Sequence, residues 1–345
     1  MLAVAVTAGS AMREVNNEGD LREPFVSTGT LPTPDVVTSV LADTYKRHLP
    51  NRDGTVSTVY PALERVAPDL FGLALIGASG AAFEVGDAQV PFTIMSVSKP
   101  FVFALVCQEL GPATARAAIG VNATGLPFNS LAAVEHMPNG RTNPMVNAGA
   151  IATTSLVPGA TVDQQWDFIW QGLNRFAGRH LSLNDEVYAS AVATNFRNRG
   201  LASLLASLGA IQGDPLVAVE VYTRQCSLDV TAHDLALMGA TLAFGGVNPE
   251  TRLRVVDPMV CHYTLAVMAT AGLYETSGDW LYEIGLPGKS GIGGGIVTVS
   301  PGKGALGTFA PRLDAAGNSV RGQLAARDIS RVLGMDLFVS KPVGP

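Results

Sequence analysis

Charge is scarce in this chain. Asp, Glu, Lys and Arg make up only 15% of 345 residues, and the 23 basic ones never gather into a dense run. With a net charge of −6 and a pI near 5.4, the electrostatic footprint of a nucleic-acid binder is missing; Arg197 and Arg199 read as a solvated or locally paired face. Cysteine is scarce as well. Cys107, Cys226 and Cys261 are odd in number and widely spaced, so they build neither a disulfide framework nor a CxxC metal site. Cys107 lies in an apolar run and reads as a small buried hydrophobe. His48, His136, His180, His233 and His262 show no ligand spacing, and no metal or organic cofactor is expected. Long apolar runs are missing too. Mean hydropathy is +0.26, yet no stretch approaches the roughly 18 consecutive apolar residues of a membrane span. The opening MLAVAVTAGSAM has no basic residues ahead of its short apolar stretch, which argues against a signal peptide. Together these features favour a cytoplasmic protein without membrane association.

Abundant instead are small and aliphatic residues: 47% of the chain is hydrophobic, and 37 residues are Gly. Such a composition supports tight helix and sheet packing in one large domain or two closely packed ones. Residues 1–35 carry Gly, Pro, Thr and mixed charge without a hydrophobic period, and are expected to form a loosely ordered extension. From Pro34, Val37, Val40, Leu41 and Tyr45 recur at helical spacing. Residues 70–86 read as two short strands around a turn at 77–80. Residues 97–110 are hydrophobic on every side, as in a helix buried at the centre of a protein. Helical patterns dominate from about 111 to 285. Residues 291–300 and 304–311 read as strands joined by a Pro-Gly turn, and a last amphipathic helix spans about 320–333. Strand signals at both ends with helices between predict an α+β fold over 36–340. One sheet assembled from both ends is covered by helices, and 111–285 forms an all-α insertion.

Ser96-Val97-Ser98-Lys99 fits the SxxK pattern of acylating serine enzymes. On a helix, positions three apart share a face, so the lysine amine is expected at the serine hydroxyl. Burial would free that amine to act as a base, and a helix N-terminus would favour developing negative charge. Pro100 is tolerated in a first turn. The same pattern recurs at Ser300 and Lys303, but there it straddles a turn with no helix to align it. Lys289-Ser290-Gly291 opens a Gly-rich strand, as in the Lys-Ser/Thr-Gly strand that penicillin-recognising enzymes place beside their SxxK helix. A backbone N–H there can complete an oxyanion hole. Gly293-Gly294-Gly295 runs on into a strand, whereas a phosphate loop opens a helix.

The run Asn143-Pro144-Met145-Val146-Asn147-Ala148-Gly149-Ala150-Ile151 resembles the NPMVNAGAI signature of the serine-dependent glutaminase family, bacterial and mitochondrial. Thr194-Asn195-Phe196-Arg197-Asn198-Arg199, Tyr222-Thr223-Arg224-Gln225-Cys226-Ser227, Leu273-Tyr274 with Ser277-Gly278, residues 285–295, and Leu313-Asp314 with residues 317–320 agree in the family's order. The resemblance covers roughly residues 36–335. It implies a β-lactamase/transpeptidase-like fold and hydrolysis of a small amide through an acyl-serine. Ser96 would be the nucleophile, Lys99 the base, Tyr222 a proton relay, and Ser290 a support for the site. Tyr274 would line the pocket, and Asn147 and Asn198 would hold the substrate's carboxylate and amino ends. The backbone N–H groups of Ser96 and Ile292 would form the oxyanion hole. Relatives of this kind imply a homo-oligomer, dimer or tetramer.

The pattern departs from the family where the pocket should be. Met95 stands where the family has Gln, Ala191 where it has Glu, Val59 where it has Tyr, and Phe244 where it has Asn. The first three exchange polar groups for apolar ones, and a buried ammonium without its carboxylate costs several kcal/mol. Three readings stay open: a strict glutaminase; an amidase, lactamase or acyltransferase on a less polar or N-substituted amide; and a non-catalytic binding protein. A penicillin-binding protein fits the NPMVNAGAI run poorly. Glu186, five residues before Ala191, is a possible substitute for the lost carboxylate.

Overall fold

The computed structural model describes residues 29–340; of the extension expected at 1–35, residues 1–28 lie outside them. Strand β1 (Gly72–Gly77) shows how its sequence builds two layers. Successive side chains of a strand point to opposite faces. Accordingly Leu73 and Leu75 pack with Val37, Leu41 and Ile329, while Ala74 and Ile76 pack with Phe101, Leu235 and Met238. A strand buried on both faces needs helices on both sides.

The sheet is antiparallel, in the order β2 (Ala82–Gly86), β1, β7 (Gly304–Phe309), β6 (Gly295–Ser300), β5 (Gly288–Ser290). Leu306 of β7 faces Leu75 of β1 on one side and Thr298 of β6 on the other. The late strands therefore sit directly beside the early hairpin, as the two-ended strand pattern predicts. A second ladder joins β3 (Phe92–Thr93) to β4 (Asp229–Val230). Residues 291–294, expected as the start of a strand, instead turn the chain between β5 and β6.

Thirteen α-helices occur among the described residues. One sheet face is covered by α1 (Pro34–His48), α12 (Ser277–Ile284) and α13 (Val320–Val332), through Val40, Trp280 and Ala325. Asp328 ties α1 to α13, accepting from His48 Nε2 at 2.8 Å and Arg47 Nη1 at 3.0 Å. The other face is covered by α2 (Lys99–Leu110), α3 (Pro112–Ile119), α6 (Val162–Ala177), α10 (Ala232–Ala243) and α11 (Pro258–Ala271). A third cluster gathers α4 (Leu131–His136), α5 (Asn147–Thr154), α7 (Asp185–Thr194), α8 (Phe196–Ser207) and α9 (Pro215–Cys226) around Ile151, Leu201 and Val219.

The helical stretch 111–285 is thus not one inserted unit. Its apolar helix α10 lies on the sheet, where a capping box between Thr231 and Asp234 starts it and Arg179 grips Asp234 at 2.6 and 2.7 Å. Backbone contact sets that spacing. A Cβ on Gly307 would lie 2.0 Å from the Ala232 carbonyl oxygen and 2.7 Å from the Ala236 nitrogen. Gly307→Ala must therefore push α10 off β7, and overpacking of this kind destabilises by about 3 kcal/mol. Urea unfolding is expected to show that loss; an unchanged midpoint would refute the close approach.

Candidate active site

Strand β3 delivers the chain to the site. Ile94 is held by its N–H to the Leu228 carbonyl at 2.8 Å, and Met95 then turns through φ +47°. Positive φ is uncommon in a side chain of this size and costs energy that the surroundings must hold. Ser96 follows on a 3₁₀ turn, Met95–Ser98, and Lys99 opens α2. The serine therefore precedes the α-helix rather than standing in its first turn. The Ser98 hydroxyl locks the turn by donating to Met95 O at 2.8 Å.

Lys99 is fully buried. Its amine donates to Asn147 Oδ1 at 2.7 Å and to Met145 O at 3.4 Å; the direct bond to Ser96 expected from helical spacing is not formed. Burial holds the amine down to about pKa 7, against an opposing pull from Cys226. Asn147 is the meeting point. Its Oδ1 also accepts from the Tyr222 hydroxyl at 3.2 Å, and its Nδ2 donates to Asn198 Oδ1 at 3.0 Å. Helices α2, α8 and α9 thus each send one side chain to the single carboxamide that α5 presents. The turn before α5 is shaped by Asn143, which accepts from Met145 N–H and donates to Asn122 O, both at 2.9 Å. Burial first, then Cys226, raise Tyr222 well above the ordinary phenol range, so it stays protonated.

On the other side of Ser96, the turn after β5 presses against the β3 end. A Cβ on Gly293 would meet Thr93 O at 2.4 Å, and one on Gly291 would lie 3.2 Å from the Ser96 nitrogen. Only glycines let the Ile292 and Ser96 backbones come this close. Tyr274, also at positive φ (57°), donates to Ser290 O at 3.2 Å and stands beside the Ser96 side chain; burial pushes it up to about pKa 12. The Ser290 hydroxyl donates to Asn318 Oδ1, and Asn318 donates to Thr276 at 2.9 Å.

A cleft of about 90 Å³ opens over Ser96. Val59, Tyr60, Met95, Phe128, Asn147, Arg197, Asn198, Tyr222, Cys226 and Ile292 are among the side chains that line it. Tyr274 does not: its ring packs behind Phe128, with centroids 4.7 Å apart, and Ser290 is fully buried beneath it. Cys226 and Arg197 enter the wall without having been read as site residues. Cys226 lies four residues after Tyr222, hence on the same helix face. Arg197 precedes Asn198; it is exposed and held by a 2.6 Å bond from Nε to Asn129 O, in keeping with a solvated or locally paired face. The second SxxK pair is structural: Ser300 donates to Met335 O and Lys303 to Gly334 O, both at 2.8 Å.

The Glutaminase family model matches residues 54–338. The chain belongs to the glutaminase family. Among its relatives it is 66% identical to Glutaminase 2 of Yersinia pestis over 318 residues, covering 92% of this chain and 94% of that one. It is 51% identical to a Glutaminase of Brucella canis over 282 residues, covering 81% and 89%. A solved structure of a probable glutaminase, YbaS, superposes with a TM-score of 0.88 at 41% identity, over 90% of this chain and all of that one. A Bacillus glutaminase does so at 0.78 and 28% identity, over 88% and 98%. The α+β fold is that of the β-lactamase-like glutaminases.

Within this glutaminase fold the four departures separate. Met95 lines the cleft. Val59 is 51% exposed at its edge, and the neighbouring Tyr60 turns inward: its hydroxyl, raised by burial, meets the Asn198 side chain. The phenol expected to be lost at 59 is supplied from 60, so the wall is less apolar than the sequence implies. Ala191 is buried in α7 and forms no part of the wall, which the chain reaches only at Thr194 and Asn195, where α7 ends. Glu186 cannot replace it; its side chain is 67% exposed and paired with Arg65. Phe244 caps α10 and is half-exposed, outside the cleft wall.

Proposed function

We propose that this chain hydrolyses the side-chain carboxamide of L-glutamine to glutamate and ammonia through an acyl-enzyme on Ser96. The observation that carries this reading is the buried Lys99–Asn147–Tyr222 network beside a serine that lines the cleft. Burial lowers the Lys99 amine to about pKa 7, so an unprotonated population is available as a base at neutral pH. Swinging from Asn147 to Ser96, the amine takes the hydroxyl proton as Oγ attacks the carboxamide carbon. The Ser96 and Ile292 N–H groups receive the negative charge that develops on the carbonyl oxygen. Collapse expels ammonia, protonated from Lys99 with Tyr222 as relay, and water then attacks the acyl-serine by the reverse route. Ser290, braced by Asn318, supports the strand that presents Ile292. Asn147, Asn198 and Tyr60 bind the amino-acid head.

A second reading concerns that head. Among the described residues that line the cleft there is no carboxylate, and Arg197 is the one charged side chain. Such a wall recognises the α-carboxylate better than the α-ammonium, and admits amides whose amino group is absent or acylated. Ammonia release from L-glutamine, N-acetyl-L-glutamine and glutaric acid monoamide tests both readings. L-Glutamine is expected to be cleaved, with kcat/KM above the deamino analogue by no more than ~10²-fold; a site built around the ammonium would discriminate by ~10⁴-fold or more. No ammonia from any of the three would contradict the proposal. A ratio near 10⁴ would leave the strict glutaminase and remove the second reading.

A further inference from the structure

One acceptor in the cleft wall has no donor. Asn195 lines the cleft where α7 ends and α8 begins, and is 6% exposed. Its Oδ1 is buried and makes no hydrogen bond. Among the described residues, the other buried side-chain oxygens and nitrogens without a partner belong to residues outside the cleft wall. An asparagine just before a helix ordinarily caps it, accepting from an N–H of the first turn; Asn195 forms no such bond. Its Nδ2 fixes the amide instead. That nitrogen donates to Thr223 Oγ1 on α9 at 3.0 Å, and the Thr223 hydroxyl donates its own proton to Val219 O at 2.7 Å. Thr223 Oγ1 can then only accept, so a flipped amide would set two oxygens against each other. Oδ1 is thereby left as the free end of the carboxamide. The neighbouring amides are engaged: Asn147 Oδ1 accepts from Lys99 and Tyr222, and Asn198 Oδ1 accepts from Asn147 Nδ2. A buried carbonyl oxygen without a donor is unfavourable, and such atoms are rare enough in native structures to call for a reason.

We propose that Asn195 is a specificity-determining residue: its Oδ1 accepts a hydrogen bond from the α-amino group of the amide substrate. The inference rests on the glutamine reading, in which Asn147, Asn198 and Tyr60 bind the amino-acid head. No carboxylate lines the cleft among the described residues, and Asn195 offers the amino group a neutral acceptor in its place. Such an oxygen takes an N–H from an ammonium or from an acylated amine alike, since each carries a donor. It has nothing to accept from a substrate that lacks the nitrogen. A site that pairs with a polar group of its substrate rejects the analogue without that group, because its own buried atom then stays unpaired.

The test is the ratio of kcat/KM for L-glutamine to that for glutaric acid monoamide. Ammonia release gives it for wild type, Asn195→Ala and Asn195→Asp, each checked for folding by circular dichroism. Alanine removes the acceptor, and the ratio is expected to fall about tenfold, through the L-glutamine value alone. Aspartate puts a carboxylate there, and the ratio is expected to rise. N-Acetyl-L-glutamine then loses ground to L-glutamine, because only an ammonium gains from the charge. Thr223→Val is the milder variant: it leaves Asn195 in place and removes the atom that orients its amide, so the ratio is expected to fall here too. A role in packing alone lowers both substrates equally, and a ratio unchanged in every folded variant overturns the proposal. A wild-type ratio of one overturns it without any substitution. Cleavage of neither substrate by wild type overturns the glutamine reading, and this inference with it.

Discussion

Ser96→Ala is expected to reduce ammonia release from L-glutamine by at least ~10⁴-fold, because loss of the nucleophile removes the covalent route and leaves only binding and the oxyanion site. Stability is expected to change by less than about 1 kcal/mol. The Ser96 hydroxyl faces the cleft beside Tyr274, and Tyr274 keeps its bond to Ser290 O when the serine is lost, so no buried donor is left unpaired. Ser300→Ala is the matched control. It sits in the same sequence pattern, and its hydroxyl reaches Met335 O in the interior. That variant is expected to lose about 1 kcal/mol of stability and keep its rate. Steady-state kinetics and urea melts on the two proteins check both statements. Full activity in Ser96→Ala, or loss of activity in Ser300→Ala, would move the nucleophile elsewhere.

Lys99→Ala is expected to be nearly as damaging, and the double variant no slower than Ser96→Ala alone. Residues that act as one unit fail together, so their effects do not add. In wild type the rate is expected to fall as pH drops below about 7, since protonation consumes the free amine that burial provides. The sign follows from the base: with a folded-state value held below that of an ordinary lysine, the active form is the deprotonated one, present above that pH and lost below it. Lys99→Ala should flatten this limb. A double variant much slower than either single one would show that the two side chains act independently. A limb unchanged in Lys99→Ala would assign it to another group.

Much of the fold was legible because it depends on periodicity. The apolar run of β1 and the all-round apolarity of α2 report burial directly, and the motif series around Asn147 and Tyr222 points to residues that the structure brings to one cleft. Contacts set by tertiary packing were not legible. Lys99 lies three residues from Ser96, yet its amine goes to an amide 48 residues away, because the 3₁₀ turn at Met95–Ser98 rotates the serine off the helical face. Tyr60, next to the exposed Val59, turns its hydroxyl to Asn198, a placement no sequence pattern shows. Ala191 marks a loss in sequence but does not form the wall, and Tyr274 supports the site from behind Phe128. Helix α10 reads as one more helix in a helical stretch. Gly307, which lets it touch the sheet, is a single residue in a strand too short to show its purpose.

The acyl-enzyme itself gives the most direct test. Acid quench of the wild-type protein during turnover of L-glutamine, followed by proteolysis and peptide mass analysis, should find one γ-glutamyl group on the peptide carrying Ser96. Cys226 lines the same cleft and provides an internal alternative. A glutamyl group on Ser96 and on no other residue is the result this mechanism predicts; a glutamyl group on Cys226, or ammonia released with no adduct even when deacylation is slowed by low temperature, would contradict it.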